Sequence, residues 1–359
     1  MGGMLPIVIQ ACYDHAQIML RKILASLVFI GMCFSGALAR AAEPVRLILD
    51  TDIGNDVDDA LALAMIHALE TRGDVRLLAV TITKDNRYAA PFVDLVNTFY
   101  GRPDIPIGVV HNGKTPEDSA MLKAPAEERG ANGKALYPHS LQNGTQAPNA
   151  VQLLTKILSS QPNQSVTIAQ IGFSTNLARL LESPGGRDLV KRKVKVLCLM
   201  AGNFVKPQPE YNVYTDPPSA KALFESWPTP MIFSGFEIGL QITFPFEALQ
   251  KDFSYAPHHP IPEAYRLYVK KPEDHPNWDS TAVLEAIEPD RGYFALSGPG
   301  RVTLGPKNTT VFTPDPRGNA RYLVIRQDQV SRVRQLIADL VTEPPAAIPA
   351  TAGAQRIAF

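Results

Sequence analysis

Six short runs rich in Val, Ile and Leu recur from residue 45 onward: "VRLILD", "VRLLAVTIT", "IPIGVV", "SVTIAQIG", "VKVLCLMAG" and "PMIFSG". None shows the polar alternation of a strand with one face in water, so each reads as a strand covered on both sides. Between most of them lie longer segments with helical spacing, "DDALALAMIHALE", "APFVDLVNTFYG", "NAVQLLTKIL", "STNLARLLE" and "PPSAKALFESW". Alternation of this kind predicts an α/β chain: an open, mostly parallel sheet with helices on both faces. The predicted domain covers residues 42–343, with its elements running from about Val45 to Glu343.

Two stretches depart from the pattern. Residues 112–148 are rich in Gly, Pro, Asn and charge and have no sustained period, which predicts a long loop over the carboxyl edge of the sheet. Short β-like pieces between Tyr293 and Arg326 predict a small hairpin region, followed by the helix "DQVSRVRQLIADLV" and a flexible Pro/Ala tail over residues 344–359.

The first 41 residues differ in kind. Arg21-Lys22 precede the apolar run "ILASLVFIGMCFSGALA", which ends in small residues at Ala37, Ala39 and Ala41. That is the layout of a cleaved signal peptide, so the chain is expected to be exported to the periplasm or the medium without a stable membrane anchor. Residues 1–18 lack that layout, which leaves Met19 open as the true start. Cys12 and Cys33 fall in the segment to be removed, leaving Cys198 in an apolar strand-like run, where a buried core role is expected. With 35 basic and 35 acidic residues the chain carries no electrostatic footprint for nucleic acid or an anionic membrane surface.

The densest chemistry lies in "LDTDIGNDVDDALAL", where Asp50, Asp52, Asp56, Asp58 and Asp59 fall within ten residues between a buried strand and a helix. That junction is the carboxyl edge of the sheet, where open α/β folds place their ligands. A helix N-terminus favours one or two carboxylates there, but not five. Converging carboxylates repel one another unless protons or a cation neutralise them, and an all-oxygen set suits Ca²⁺ first and Mg²⁺ second. An EF-hand loop counted from Asp50 fails, with Asn55 and Leu61 at its Gly and Glu positions. A haloacid-dehalogenase-type phosphatase motif matches "DTDIG" only as far as the second Asp.

Together with this opening, several later segments resemble the inosine-uridine-preferring nucleoside hydrolase family, in family order from about Arg46 to Leu284. The family opens with a strand, Asp-x-Asp-Pro-Gly-x-Asp-Asp and a helix. Here Ile53 replaces the Pro, and two additional residues precede the Asp pair. "TITKDN" resembles the second-strand segment, "YGRPDIPIG" the third-strand approach, and "IGFSTNLARLL" the Gly-Pro-Leu-Thr-Asn segment. "MAGNF", "PEYNVYTDP" and "NWDSTAVL" resemble the later Met-Gly-Gly, Glu-Phe-Asn with Asp-Pro, and His-Asp segments.

The resemblance implies Ca²⁺-dependent hydrolysis of the N-glycosidic bond of ribonucleosides or related N-ribosides, small-molecule substrates rather than nucleic acid. Homo-oligomerisation is left open. It further implies that Asp52, Asp59 and Asp279 hold Ca²⁺ by side chains and Ile171 by its carbonyl, with Asp52 also the catalytic base and Asp50 a supporting group. Asp58, Asn86, Asn203, Glu210 and Asn212 would hold the sugar, with Asp56 an alternative to Asp58 because of the insertion. On an extended "EYN", Glu210 and Asn212 would point the same way. Asn176 is expected to hydrogen-bond at a helix start, and His111, His139, His258, His259 and His275 to be surface or structural groups.

Trp278 stands where many members of the family have His. An indole N–H cannot act as a general acid but can stack on a nucleobase, so leaving-group protonation falls either to another group, such as His139, or to none. Two further functions stay open: a non-catalytic protein binding calcium and a ribosyl ligand on the same scaffold, and a phosphatase-like Asp-dependent hydrolase.

Overall fold

The computed structural model describes residues 43–346, so the expected leader and most of the expected tail lie outside the described residues. The compact unit begins at Pro44. Its strands are β1 (Val45–Thr51), β2 (Val75–Lys84), β3 (Ile107–Lys114), β4 (Val166–Gln170), β5 (Val194–Met200), β6 (Met231–Ser234), β7 (Thr243–Phe244), β8 (His275–Pro276), β9 (Ala295–Leu296), β10 (Gly300–Leu304), β11 (Thr310–Pro314) and β12 (Ala320–Val324). The larger helices are α1 (Asp58–Arg72), α2 (Ala89–Phe99), α3 (Ala120–Glu127), α4 (Ala150–Ser160), α5 (Thr175–Glu182), α6 (Gly186–Lys193), α7 (Tyr211–Thr215), α8 (Pro217–Ser226), α9 (Phe236–Gly239), α10 (Phe246–Lys251), α11 (Pro260–Val269), α12 (Asp279–Ile287) and α13 (Gln327–Val341).

The main sheet runs β11-β10-β12-β6-β5-β4-β1-β2-β3, with β9 paired to β12. From β3 across to β12 every neighbouring pair is parallel, and only the pairings β12–β9, β12–β10 and β10–β11 are antiparallel. The sheet is therefore open and mostly parallel, as its unalternating strands require. The expected hairpin region is β10 and β11; β12 instead joins the main sheet beside β6.

Strand geometry divides the core. In β1, Leu47 and Leu49 belong to one apolar cluster and Ile48 to the other; in β5, Cys198 and Met200 oppose Leu197 and Leu199. The first cluster joins the sheet to α1, α2, α12 and α13, the second to α4, α5, α6 and α8. Helix α1 is buried along nearly its whole length, packed by α12 and α13 as well as the sheet, which explains a sequence apolar on all sides.

The 112–148 stretch is more ordered than its composition predicts. β3 extends to Lys114, α3 follows, and a short 3₁₀ turn forms at Gly144–Gln146. α3 is short and contains Pro125, so its local signal is weak; it buries Met121, Leu122, Pro125 and Ala126 and packs on α11 and α2. Leu122 also closes over the aspartate loop, lying where a side chain on Gly54 (φ +106°) would stand.

Candidate active site

The strand β1 ends at Thr51 and α1 begins at Asp58, so the aspartates occupy a tight strand-to-helix junction at the carboxyl edge of the sheet. Next to it the chain turns at the end of β4, where the N–H groups of Ile171 and Gly172 both donate to the Asp50 carbonyl (2.7 and 3.2 Å). Gly172 permits that approach: a Cβ there would lie 2.4 Å from the Asp52 backbone nitrogen. The third wall comes from far along the sequence. β7 and β8 pair, Asn277 N–H donates to the Ile242 carbonyl (2.9 Å), and α12 starts at Asp279.

Asp58 joins the two distant segments. Its Oδ2 accepts from the backbone N–H groups of Trp278 (2.9 Å) and Asp279 (3.1 Å), so a residue of α1 caps the N-terminus of α12. Ligand oxygens of Asp58, Asp59 and Asp279 consequently lie within 4.8 Å of one another, all three buried. The close trio thus contains Asp58 where Asp52 was expected, although Asp52 and Ile171 line the same cavity. Asp59 also accepts from the Thr51 hydroxyl.

That cavity has a volume of about 410 Å³. Asp52, Asp56, Asp58, Asp59, Asp279 and Glu210 line it with carboxyl groups, and Tyr211, Tyr214, Phe236, Tyr268 and Trp278 supply aromatic surface. No Lys, Arg or His is among its lining residues.

Burial raises the carboxyls of Asp52, Asp58, Asp59 and Asp279, and neighbouring negative charge adds to it. Asp52 is pushed up to about 7, with Asn55 and Lys84 opposing and Asp56 reinforcing. Asp58 reaches about 8 by burial and the charge of Asp56. Asp59 and Asp279 lie well above the usual carboxylate range, from burial and then their neighbouring aspartates. Fully ionised, such a set is unstable without a positive charge among it. Behind it, Asp50 accepts from Thr81 (2.6 Å) and Asn176 (2.9 Å) through Oδ1, while its buried Oδ2 has no hydrogen-bond partner among the described residues. Oxygen-only donors and a carboxylate excess fit a hard divalent cation.

The remaining expected residues divide. Asn212 lines the cavity and donates to the carbonyls of Ile171 (3.0 Å) and Met200 (3.1 Å). Glu210 also lines it, but "EYN" is not an extended run: Glu210 caps α7, accepting from the N–H groups of Asn212, Val213 and Gly202. Burial pushes its carboxyl up to about 7 against those bonds. Asn86 is not among the lining residues; its amide donates to the carbonyls of Pro116 (3.0 Å) and Glu117 (3.1 Å). Asn203 is likewise engaged locally, accepting from Val205 and Lys206 N–H groups. Asn176 makes no helix-start bond; its amide reaches Asp50 and the Ile82 carbonyl.

Trp278 is half-buried, stacked on Phe236 with its indole N–H donated to the Phe236 carbonyl (2.8 Å). His139 is absent from the lining and bonds the Tyr137 carbonyl. His275, expected to be a surface or structural group, holds Asp56 (Nε2 to Oδ1, 2.8 Å), with its ring edge-on to Trp278. Burial lowers its basicity, but Asp56 and Asp58 outweigh that and raise it. His275 and Tyr268 carried no local signal, and these two and Lys84 acquire their places through partners distant in sequence. A charged Lys ending a buried strand was the one cue available.

A profile of the inosine-uridine preferring nucleoside hydrolase family matches residues 47–334. The pyrimidine-specific ribonucleoside hydrolase RihA of Salmonella enteritidis is 34% identical over 203 residues, 54% of this chain and 60% of that protein. The inosine-uridine preferring nucleoside hydrolase of Leishmania major is 27% identical over 199 residues, 53% of this chain and 60% of that protein. The alignments thus span about three-fifths of these relatives. Among solved structures, the plant nucleoside hydrolase PpNRh1 covers 84% of this chain and all of its own, with 24% identity and a TM-score of 0.60. The type III effector XopQ, solved with adenosine diphosphate ribose, covers 85% of this chain and 96% of its own, at 18% identity and a TM-score of 0.61. The chain belongs to the inosine-uridine preferring nucleoside hydrolase family.

Proposed function

We propose that the protein hydrolyses the N-glycosidic bond of ribonucleosides or related N-ribosides, with a divalent cation, Ca²⁺ first, held by Asp52, Asp58, Asp59, Asp279 and the Ile171 carbonyl. One observation carries the reading: a single cavity is lined both by a buried carboxylate cluster and by aromatic side chains. Those two surfaces match the two halves of a nucleoside, a polyhydroxylated sugar and a flat base.

When bound, the cation supplies positive charge against the carboxylates and polarises a water molecule. Asp52 is the base that takes the proton of the attacking water. Its Oδ2 already accepts from Asn55 (2.8 Å), which fixes the carboxylate plane. Asp58, Glu210 and Asn212 face the sugar side, where carboxylates stabilise the positive charge that develops on the ring as the bond to the base breaks. Trp278, Tyr211 and Tyr214 offer faces to the base.

Trp278 cannot protonate that base, and its N–H is already engaged. A leaving group that departs without a proton should therefore react faster than hypoxanthine, with a gap on the order of 10²–10⁴-fold if no other acid acts. A phosphatase is disfavoured by the lack of any basic side chain in the lining. The signal-like leader further supports an exported protein, which sequencing the N-terminus of the secreted form tests.

The experiment incubates the protein with a nucleoside panel and p-nitrophenyl riboside, with and without chelator, and follows free ribose. Release that chelator abolishes and Ca²⁺ restores is the expected result. Tight nucleoside binding without ribose would instead indicate the non-catalytic alternative.

A further inference from the structure

Among the described residues, Lys84 is the one Lys or Arg that is buried, at 3% exposure, and it ends β2 directly behind the aspartate loop. Its Nζ donates to the Asn55 Oδ1 (2.8 Å) and the Thr115 carbonyl (2.7 Å). Both partners are acceptors, as an ammonium group requires. Asn55 passes the contact on: its amide nitrogen donates to Asp52 Oδ2 (2.8 Å) and to the Thr115 hydroxyl (3.2 Å).

The surrounding chain is arranged to keep this contact. Thr115 sits at φ +52° and Asn112 at φ +53°, left-handed conformations that non-glycine residues adopt at a cost. The two residues after Lys84 anchor the same segment: Asp85 accepts from Gly113 N–H (2.9 Å), and Asn86 donates to the carbonyls of Pro116 and Glu117. Asn55 belongs to the junction that is two residues longer than the family pattern, so the longer loop and the buried lysine form one unit.

We propose that Lys84 is a positioning residue and the site's built-in counter-charge: through Asn55 it fixes the Asp52 carboxylate, and its ammonium group lowers the cluster's affinity for a divalent cation. The inference rests on reading the cavity as a cation-dependent hydrolase and adds how this chain tunes it. Two opposite effects follow from one side chain. Losing the lysine frees Asp52 to rotate, which slows the reaction. It also removes a positive charge that opposes a second one, which tightens cation binding. A lysine needed only for folding would weaken both.

Lys84→Met is compared with the wild type by calorimetric titration of chelator-treated protein with Ca²⁺, by thermal melting and by ribose release. Expected are a Ca²⁺ dissociation constant lower by about 3–10-fold, and kcat lower by about 10–100-fold with KM within about threefold. Asn55→Leu keeps the charge and removes the bridge, so it lowers kcat without tightening Ca²⁺. The double variant loses no more kcat than the worse single one, because both act on the same carboxylate. Should Lys84→Met fail to fold, Lys84→Gln replaces it.

Unchanged or weaker Ca²⁺ binding in a folded Lys84 variant overturns the inference, as does a wild type that binds neither Ca²⁺ nor Mg²⁺. If the wild type releases no ribose from any nucleoside, the hydrolase reading fails. The titration then still decides the counter-charge, which stands if Ca²⁺ binding tightens and falls if it does not.

Discussion

At the scale of single residues, burial changes what a side chain is for. His259, expected at the surface or in a structural role, is 4% exposed among Phe99, Phe253 and Tyr255. Its Nδ1 accepts from the Ile261 N–H (3.2 Å) at the start of α11, and Nε2 faces the Tyr255 hydroxyl (2.9 Å). A protonated ring cannot accept at Nδ1, and burial holds its pKa down to about 3, against an ordinary value of 6.5. Between those values the unfolded chain binds the proton and the folded one does not. The contribution of His259 is therefore complete above about pH 6.5 and is lost as the pH falls toward 3, by up to about 1.4 kcal/mol per unit. His259→Phe keeps the aromatic packing and loses the cap, at a cost of about 1 kcal/mol near pH 7.5. The gap in urea midpoint between wild type and variant should close at about pH 6 and reverse by about pH 5, where the wild type has lost about 2 kcal/mol. A gap constant over that range would show that His259 is not held neutral. Taking the difference between the two proteins removes the opposite trend expected from Asp50 and Glu210, whose raised values favour the folded state at lower pH.

At the scale of elements, the strands and major helices were legible because short unalternating apolar runs and longer helix-like segments each mark an element locally, whereas the contacts between elements were not. The run "VRLILD" before "DDALAL" identifies a strand, a loop and a helix wherever it occurs. Nothing in it indicates that Asp58 will cap α12, a helix 221 residues further on. α3 was missed for a related reason: eight residues with an internal Pro gain their order from α2 and α11 rather than from propensity. Junction glycines offer a direct test of this inter-element geometry. A Cβ at Gly172 meets Asp52 N at 2.4 Å and the Thr51 carbonyl carbon at 2.7 Å, both backbone atoms that cannot swing away. Gly172→Ala should cost at least about 2–3 kcal/mol and weaken cation binding, since Ile171 and Asp52 must move apart. Gly73→Ala is the control: φ is +85° with nothing within 4 Å, so only the left-handed penalty of about 1–2 kcal/mol applies, and cation binding is retained. Urea denaturation with calorimetric titration separates the two, and equal cation affinity in both variants would count against the junction's role.

At the scale of the whole molecule, the site is assembled from segments that span the fold: Asp52–Asp59 after β1, Ile171 after β4, Glu210 before α7, and Asp279 at the start of α12. Asn86 and Asn203, expected to hold the sugar, do not line the cavity and bond instead to the Pro116 and Glu117 carbonyls and to the Val205 and Lys206 N–H groups, placements that only the assembled chain reveals. The design concentrates buried negative charge at one point, so the folded state without a cation is disfavoured by the burial, and then the mutual repulsion, that raise Asp58, Asp59 and Asp279. A cation that binds only the folded chain stabilises it by RT ln(1 + [L]/Kd), about 2.7 kcal/mol at a hundredfold excess over Kd. For a domain of this size that is a rise in Tm of about 5 °C. Asp279→Asn removes one charge of the close trio, so two shifts of opposite sign are expected. In chelator the variant should melt at or above the wild type, because repulsion is relieved, and in excess Ca²⁺ it should melt below, because the linkage is gone. Melting curves of both proteins across a Ca²⁺ series would show the crossing. If the wild-type Tm is indifferent to Ca²⁺ and Mg²⁺ up to millimolar levels, the carboxylate cluster must be neutralised by protons instead, and the cation-dependent reading of the site would have to be abandoned.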